Sequence, residues 1–185
     1  MISLVSIRDL QAEQLRELHE CEGQIVRIVP GMIHLAWHQS LAGALESLHD
    51  MASRHVARLT TLLSASSHDA SDQVNAAVDG MVAEIAGSLW TEEPHEVLDA
   101  AMVIELRRLV HLTMAGCTTL IALAEAMNDM AVARPVREML EEVIDVEHQL
   151  ALIARNEVNP DGALAGVPDE ARRLGVGLEW TDFST

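Results

Sequence analysis

Residues 99–127 read DAAMVIELRRLVHLTMAGCTTLIALAEAM, and after only Asn128-Asp129 the apolar pattern starts again. Val103, Leu106, Val110, Cys117, Ile121 and Ala124 recur by threes, fours and sevens, the spacing of one helical face. A two-residue link leaves room only for an antiparallel return. The spacing therefore predicts one long helix over about 95 to 127 and a second over about 131 to 155. The second carries Val136, Val143, Leu150 and Ile153 on its inner face, and its Pro135 is tolerable in a first turn.

Upstream, Ser6 and Asp9 form an N-cap and a first-turn acid. Leu18, Glu22, Ile25 and Val29 then share a face, and the pattern passes Pro30 to Met32, Leu35 and Ala36. A proline can kink a helix without ending it. One helix is expected over about 7 to 37, with a break near His38-Gln39-Ser40. A second, over about 40 to 65, has Leu41, Leu45, Leu48, Ala52, His55, Leu59 and Leu62 as its seam. Residues 64–72 are rich in Ser and Asp and read as a loop. A shorter amphipathic helix is expected over about 74 to 89, on Val78, Met81, Val82 and Ile85, before a turn that ends at Pro94. Asn159-Pro160-Asp161-Gly162 is expected to end the helical body. The expected domain is residues 1–158, and residues 159–185 are a tail whose Trp180 and Phe183 pack on the bundle or on a neighbouring subunit.

Composition agrees with helices. Hydrophobic residues make up 49% of the chain, with one Phe, no Tyr and three Trp, so aliphatic side chains and Met must fill the core. The formal net charge of −17 repels phosphate backbones and anionic lipid, so neither nucleic acid nor a membrane is an expected partner. The N-terminus lacks the pattern of a signal peptide, and no unbroken apolar run reaches about 18 residues. Cys21 and Cys117 lie among apolar helical neighbours and read as reduced core thiols of a cytoplasmic protein. Two long helices, a crossing segment and two more long helices make an all-α, ferritin-like four-helix bundle whose long crossover carries a short helix.

Several stretches resemble one known family, the YciF/YciE-like ferritin-like proteins. LHECEGQIVRIVPGM (18–32) is similar to its first-helix Tyr-x-Ala-Glu-x-Gln-Leu run followed by Leu-Pro. LAGALESLHDMASRHVARL (41–59) resembles the second-helix Leu-Lys-x-Ala-x-Glu-x-His stretch, and AAVDGMVAEI (76–85) the crossing helix. Residues 99–127 resemble its Asp-Ala-Ala-Leu-Ile run and Glu-His-Tyr-Glu motif, and EMLEEVIDVEHQLALIA (138–154) its last helix. The resemblance implies a bacterial, stress-associated protein, commonly a homodimer, with a candidate dinuclear metal site between the helices.

A dinuclear site needs about four carboxylates and two histidines aimed inward from all four long helices. Glu22, His55 and Glu147 meet this demand: each lies on or close to its seam, and each matches an acidic or histidine position of the family. They are the candidate metal ligands. Met51, Val110, Thr113 and Val143 stand where the resemblance would place further ligands. His111 matches the family's histidine but points off the seam, and Asp50 and Glu142 face outward. Two carboxylates, one imidazole and a hydroxyl do not make a dinuclear centre. The alternatives are a metal-free Glu–His–Glu cluster that sets helix register and a single divalent ion (iron, manganese or zinc) with water in its open positions. The expected function follows: a non-catalytic, stress-associated bundle with a largely degraded metal site, or a metalloprotein of oxygen, peroxide or iron chemistry. His34 and His38, four residues apart, read as solvated or capping, and Asp145 and His148 as surface.

Overall fold

The computed structural model describes residues 6–65 and 94–165 and, between them, residues 79, 80, 82, 83 and 87. Four long helices form the body: α1 (Ile7–Leu35), α2 (Gln39–Ala65), α3 (His95–Ala126) and α4 (Met130–Ile153). A π-helical turn (Ala154–Val158) and a short helix, α5 (Asn159–Leu164), continue α4. No strand occurs among the described residues. Residues 79, 80, 82, 83 and 87 are helical, and the rest of the short helix expected at 74–89 lies outside the described residues. The tail with Trp180 and Phe183 also lies outside them. The connectivity is that expected, α1 to α2 by a short link, a long crossover to α3, then a tight return to α4.

Local chemistry sets the helix ends. Ser6 caps α1 in a capping box, its hydroxyl accepting from Asp9 N–H at 3.2 Å while Asp9 accepts from Ser6 N–H at 2.9 Å. At the α3–α4 return, Asn128 takes a left-handed backbone with φ of 55°. Asp129 N–H then donates to Ala124 O, and Asn128 N–H to Glu125 O, which is a Schellman end for α3. Asp129 also caps α4 by accepting from Val132 N–H, and its other carboxylate oxygen accepts from Gln11 of α1. The dipeptide that looked too short for anything but a turn thus ends one helix, starts the next and ties both to α1.

Two expectations need correction. The helical body does not stop at Asn159-Pro160-Asp161-Gly162, because Pro160 falls in the first turn of α5, where a missing N–H costs nothing. Gly162 then allows a close approach to α3; a Cβ there would sit 3.3 Å from the Glu96 carbonyl oxygen. Second, α3 contains an 18-residue window of mean hydropathy 1.5 and is, by length and composition alone, apolar enough to cross a membrane. Polar residues such as His111 and Glu125 interrupt the apolar run, but the surrounding Leu, Ile, Val and Ala keep the mean high. In the bundle its inner face supplies Leu98, Met102, Leu106, Leu109, Val110 and Leu120 to the core.

The buried apolar side chains fall into two clusters. One joins Ile25, Val29, Met32, Leu41, Leu48, Met51, Met102, Leu106, Val143 and Leu150 toward the α1–α2 link. The other joins Leu15, Leu18, Leu59, Leu63, Cys117, Leu120, Val136 and Met139 toward the α3–α4 return. Asn128→Ala should lower stability by about 1 kcal/mol, since alanine resists the left-handed conformation. Asn128→Gly should cost less than that or stabilise. Urea denaturation checks both, and equal losses for the two variants would contradict this account of the turn.

Candidate functional site

The gap between the two apolar clusters is polar. Glu22 lies between Leu18 of one cluster and Ile25 of the other, and His55 between Leu59 and Ala52. On α3, Thr113 falls between Val110 and Cys117 in the same way. Glu22 and His55 are both fully buried, and His55 Nδ1 lies 2.7 Å from Glu22 Oε1. Among the described residues, Glu22 Oε2 and His55 Nε2 have no hydrogen-bond partner. Glu142 Oε2 approaches His55 Nε2 to 3.7 Å, outside hydrogen-bond range but within strong electrostatic reach. Arg54 and Arg58, which flank His55 on α2, hold Glu142 at 2.9 and 2.8 Å.

Burial raises the Glu22 carboxyl above its ordinary range; the hydrogen bond and charge of His55 offset part of this, and the Glu142 charge adds to it. Burial also acts to raise Glu142, but Arg54, His55 and Arg58 outweigh it and hold that carboxyl low. Beside the pair, the Cys21 Sγ lies 3.4 Å from the Thr113 hydroxyl. Burial pushes both Cys21 and Cys117 up to about 12, with the Glu22 charge contributing to each. Both thiols are free and buried.

The sequence-derived trio is thus only partly assembled. Glu22 and His55 meet as expected. Glu147 does not join them: its carboxylate accepts from Arg107 of α3 at 3.0 and 2.6 Å and lies 3.4 Å from His111 Nε2. The hydrogen bonds from Arg107 hold its carboxyl below the ordinary range. The reason is a single step of about 100° past Val146, which with Val143 and Leu150 occupies the centre and leaves Glu147 on the α3–α4 boundary. Glu142, placed on the surface by sequence, reaches inward instead because two arginines steer it there. Its signal was the Arg54/Arg58 pair one turn apart around His55. Asp50 is exposed, as expected.

His38 also departs from expectation. It is neither solvated nor a simple cap, but sits between two carboxylates, with Nδ1 2.7 Å from Asp99 and Nε2 2.9 Å from Asp161. Fully buried Asp99 also accepts from the backbone N–H groups of Trp37 and His38 at 3.0 and 2.8 Å. An aspartate within the Leu98–Met102 seam was the available signal.

A dinuclear metal centre does not fit these residues. Met51, Val110 and Val143 are buried in the apolar core at three of the positions where ligands would be needed. Among the described residues, no group of three or more His, Cys, Asp or Glu is placed to hold an ion.

The family model for DUF892, a domain of unknown function, matches residues 6–163. The chain belongs to the DUF892 family. Escherichia coli K12 YciF is similar to this DUF892 chain, 23% identical over 159 residues that cover 85% of this chain and 96% of YciF. The solved structure of the E. coli stress protein YciF matches with a TM-score of 0.78 and 23% identity, over 84% of this chain and 98% of that one. YcfI of Rhodopseudomonas palustris matches with a TM-score of 0.76 and 26% identity, over 80% and 95%. The helical bundle is therefore that of YciF, and the family resemblance seen in the sequence holds.

Glu22 titration has a definite sign. Its folded-state value is raised above 4.5, so the native protein keeps this proton to higher pH than the unfolded chain. The stability it contributes is present below that value and is lost as pH rises through the folded one. Glu22→Gln keeps the shape without the titration, so its melting temperature relative to wild type should climb as pH rises from about 4.5 to about 8. A relative melting temperature that falls over this range would contradict the assignment. Independently, Cys21 and Cys117 should resist a thiol reagent in the native protein at about pH 8 and react fully in denaturant. Rapid native labelling would show that the layer is open.

Proposed function

We propose that this DUF892 protein is a non-catalytic, stress-associated member of the YciF-like group in which the vestige of a metal centre serves as a structural polar layer. The observation that carries this reading is the packing of Met51, Val110 and Val143 into the apolar core around Glu22 and His55. Apolar side chains at those positions supply no metal ligands and surround the remaining pair with buried hydrophobic packing. A hydrogen-bonded pair in such surroundings is costly to break, about 3–5 kcal/mol when one partner is lost. It is therefore suited to fixing the register of α1 against α2. The stress association rests on likeness to E. coli YciF, which is described as a stress protein. We also propose a cytoplasmic homodimer: the two buried thiols suit a reducing compartment, and α3 exposes Ile104 and Leu112 outside its inner face.

A second reading is favoured by one observation, the unpartnered Glu22 Oε2 and His55 Nε2. In that reading a single divalent ion binds Glu22 and His55, with Glu142 as the nearest further carboxylate. Elemental analysis of untagged protein separates the two. The structural reading expects well under one equivalent of iron, manganese or zinc, and a melting temperature insensitive to chelator. One equivalent of metal, lost together with stability on chelation and absent from His55→Gln, would overturn it in favour of the second.

A further inference from the structure

Residues 154–164 form a strap across one end of the bundle. The π-helical turn shifts the helical phase after Ile153, which places Ala154 and Val158 in the core and sends α5 toward the α1–α2 link. Three contacts fasten it. The Ser40 hydroxyl donates to Glu157, Gly162 lies against the Glu96 backbone, and His38 Nε2 meets Asp161. Ala154 and Asn159 also wall a groove of about 520 Å³, lined on the other side by Val103, Ile104, Arg107, Arg108 and His111 of α3.

Proton counting singles out the last contact. Both ring nitrogens of His38 face carboxylate oxygens, Asp99 at 2.7 Å and Asp161 at 2.9 Å. Ionised carboxylates only accept, so both contacts are satisfied only when each nitrogen carries a proton. A neutral ring has one N–H. Asp99 has the stronger hold on it, being fully buried and already fixed by two backbone donors. Asp161, whose side chain is 48% exposed, would then face a lone pair, and water is at hand to replace the contact. The charged groups that face the ring are Asp99 from α3 and Asp161 from α5; Glu157 of the strap is engaged with Ser40 beside them, and the edge of the Trp37 ring is 4.9 Å away between centroids. Both charges that face the ring are negative.

We propose that His38 is a proton-operated latch, which holds the 154–164 strap closed while the ring is protonated and releases Asp161 and α5 when it loses its proton. Burial works against the charged ring, but Asp99 and Asp161 outweigh it and raise its value above 6.5. The latch contribution is therefore complete below that value and is lost as pH rises through the raised one. Release would move one wall of the α3 groove and widen access to its apolar and cationic lining.

Hydrogen exchange read by mass spectrometry on the full chain tests this, at about pH 6 and about pH 9, with rates corrected for intrinsic exchange. In wild type, protection of 154–164 should fall about tenfold or more between the two, while the α2 core amides keep theirs. Asp161→Asn should abolish this step, because an amide accepts from a protonated ring and donates to a neutral one. His38→Gln should also abolish it. If His38→Gln fails to fold, Asp161→Asn decides, since its side chain is half exposed. Equal wild-type protection at both pH values, or a step that persists in Asp161→Asn, would overturn the latch.

Discussion

A carboxylate and an imidazole share the centre of this bundle at zero exposure, and the arrangement of the core is built around them. Burial at zero exposure makes the hydrogen bond between Glu22 and His55 obligatory for both side chains. It can form only at one axial offset of α1 against α2. Once that offset is set, Leu18 and Ile25 take their places in separate apolar clusters, as do Leu59 and Ala52. Thr113 and Glu142 complete the layer from α3 and α4, the former against Cys21 and the latter under the control of Arg54 and Arg58. An all-aliphatic seam offers many near-equivalent registers, and in the proposed reading the polar layer selects among them.

The two ends of the molecule use the same economy of means. At one end Asp129 accepts from the α4 backbone and from Gln11, so the tight return is anchored to α1. At the other end Asp99 accepts from two backbone N–H groups of the link at 36–38 and from the His38 ring, so the turn between α1 and α2 is held from α3. Each of these carboxylates caps backbone that its neighbours leave unpaired, and each joins elements far apart in sequence. Polar contacts thus occupy the two ends and the middle, and apolar packing fills the two intervals between them. The acidic strap residues Glu157 and Asp161 extend the arrangement at the α1–α2 end past the last long helix.

This distribution bears on the family reading. A bundle that binds two metals must fill its centre with carboxylates from all four helices. Here Met51, Val110 and Val143 fill the centre with apolar side chains beside Glu22 and His55, which lie at zero exposure.

Much was legible in the sequence because helical periodicity is a local signal. Threes and fours of Leu, Val and Ile determined four long helices, their inner faces, the antiparallel return at Asn128-Asp129 and the burial of Glu22 and His55. Tertiary structure decided what a wheel does not resolve. Glu142 and Glu147 lie on either side of the same seam, and which one turns inward depends on arginines of two other helices, Arg54 and Arg58 against Arg107. The pairing of His38 with Asp99 and Asp161 joins residues 61 and 123 positions apart, which no local spacing encodes. The continuation through Pro160 likewise depended on a π-helical turn that rephases the chain onto α3. Periodicity specifies the direction of a side chain from its own helix; the partner that captures a long, charged side chain is set by what the neighbouring helices bring within reach.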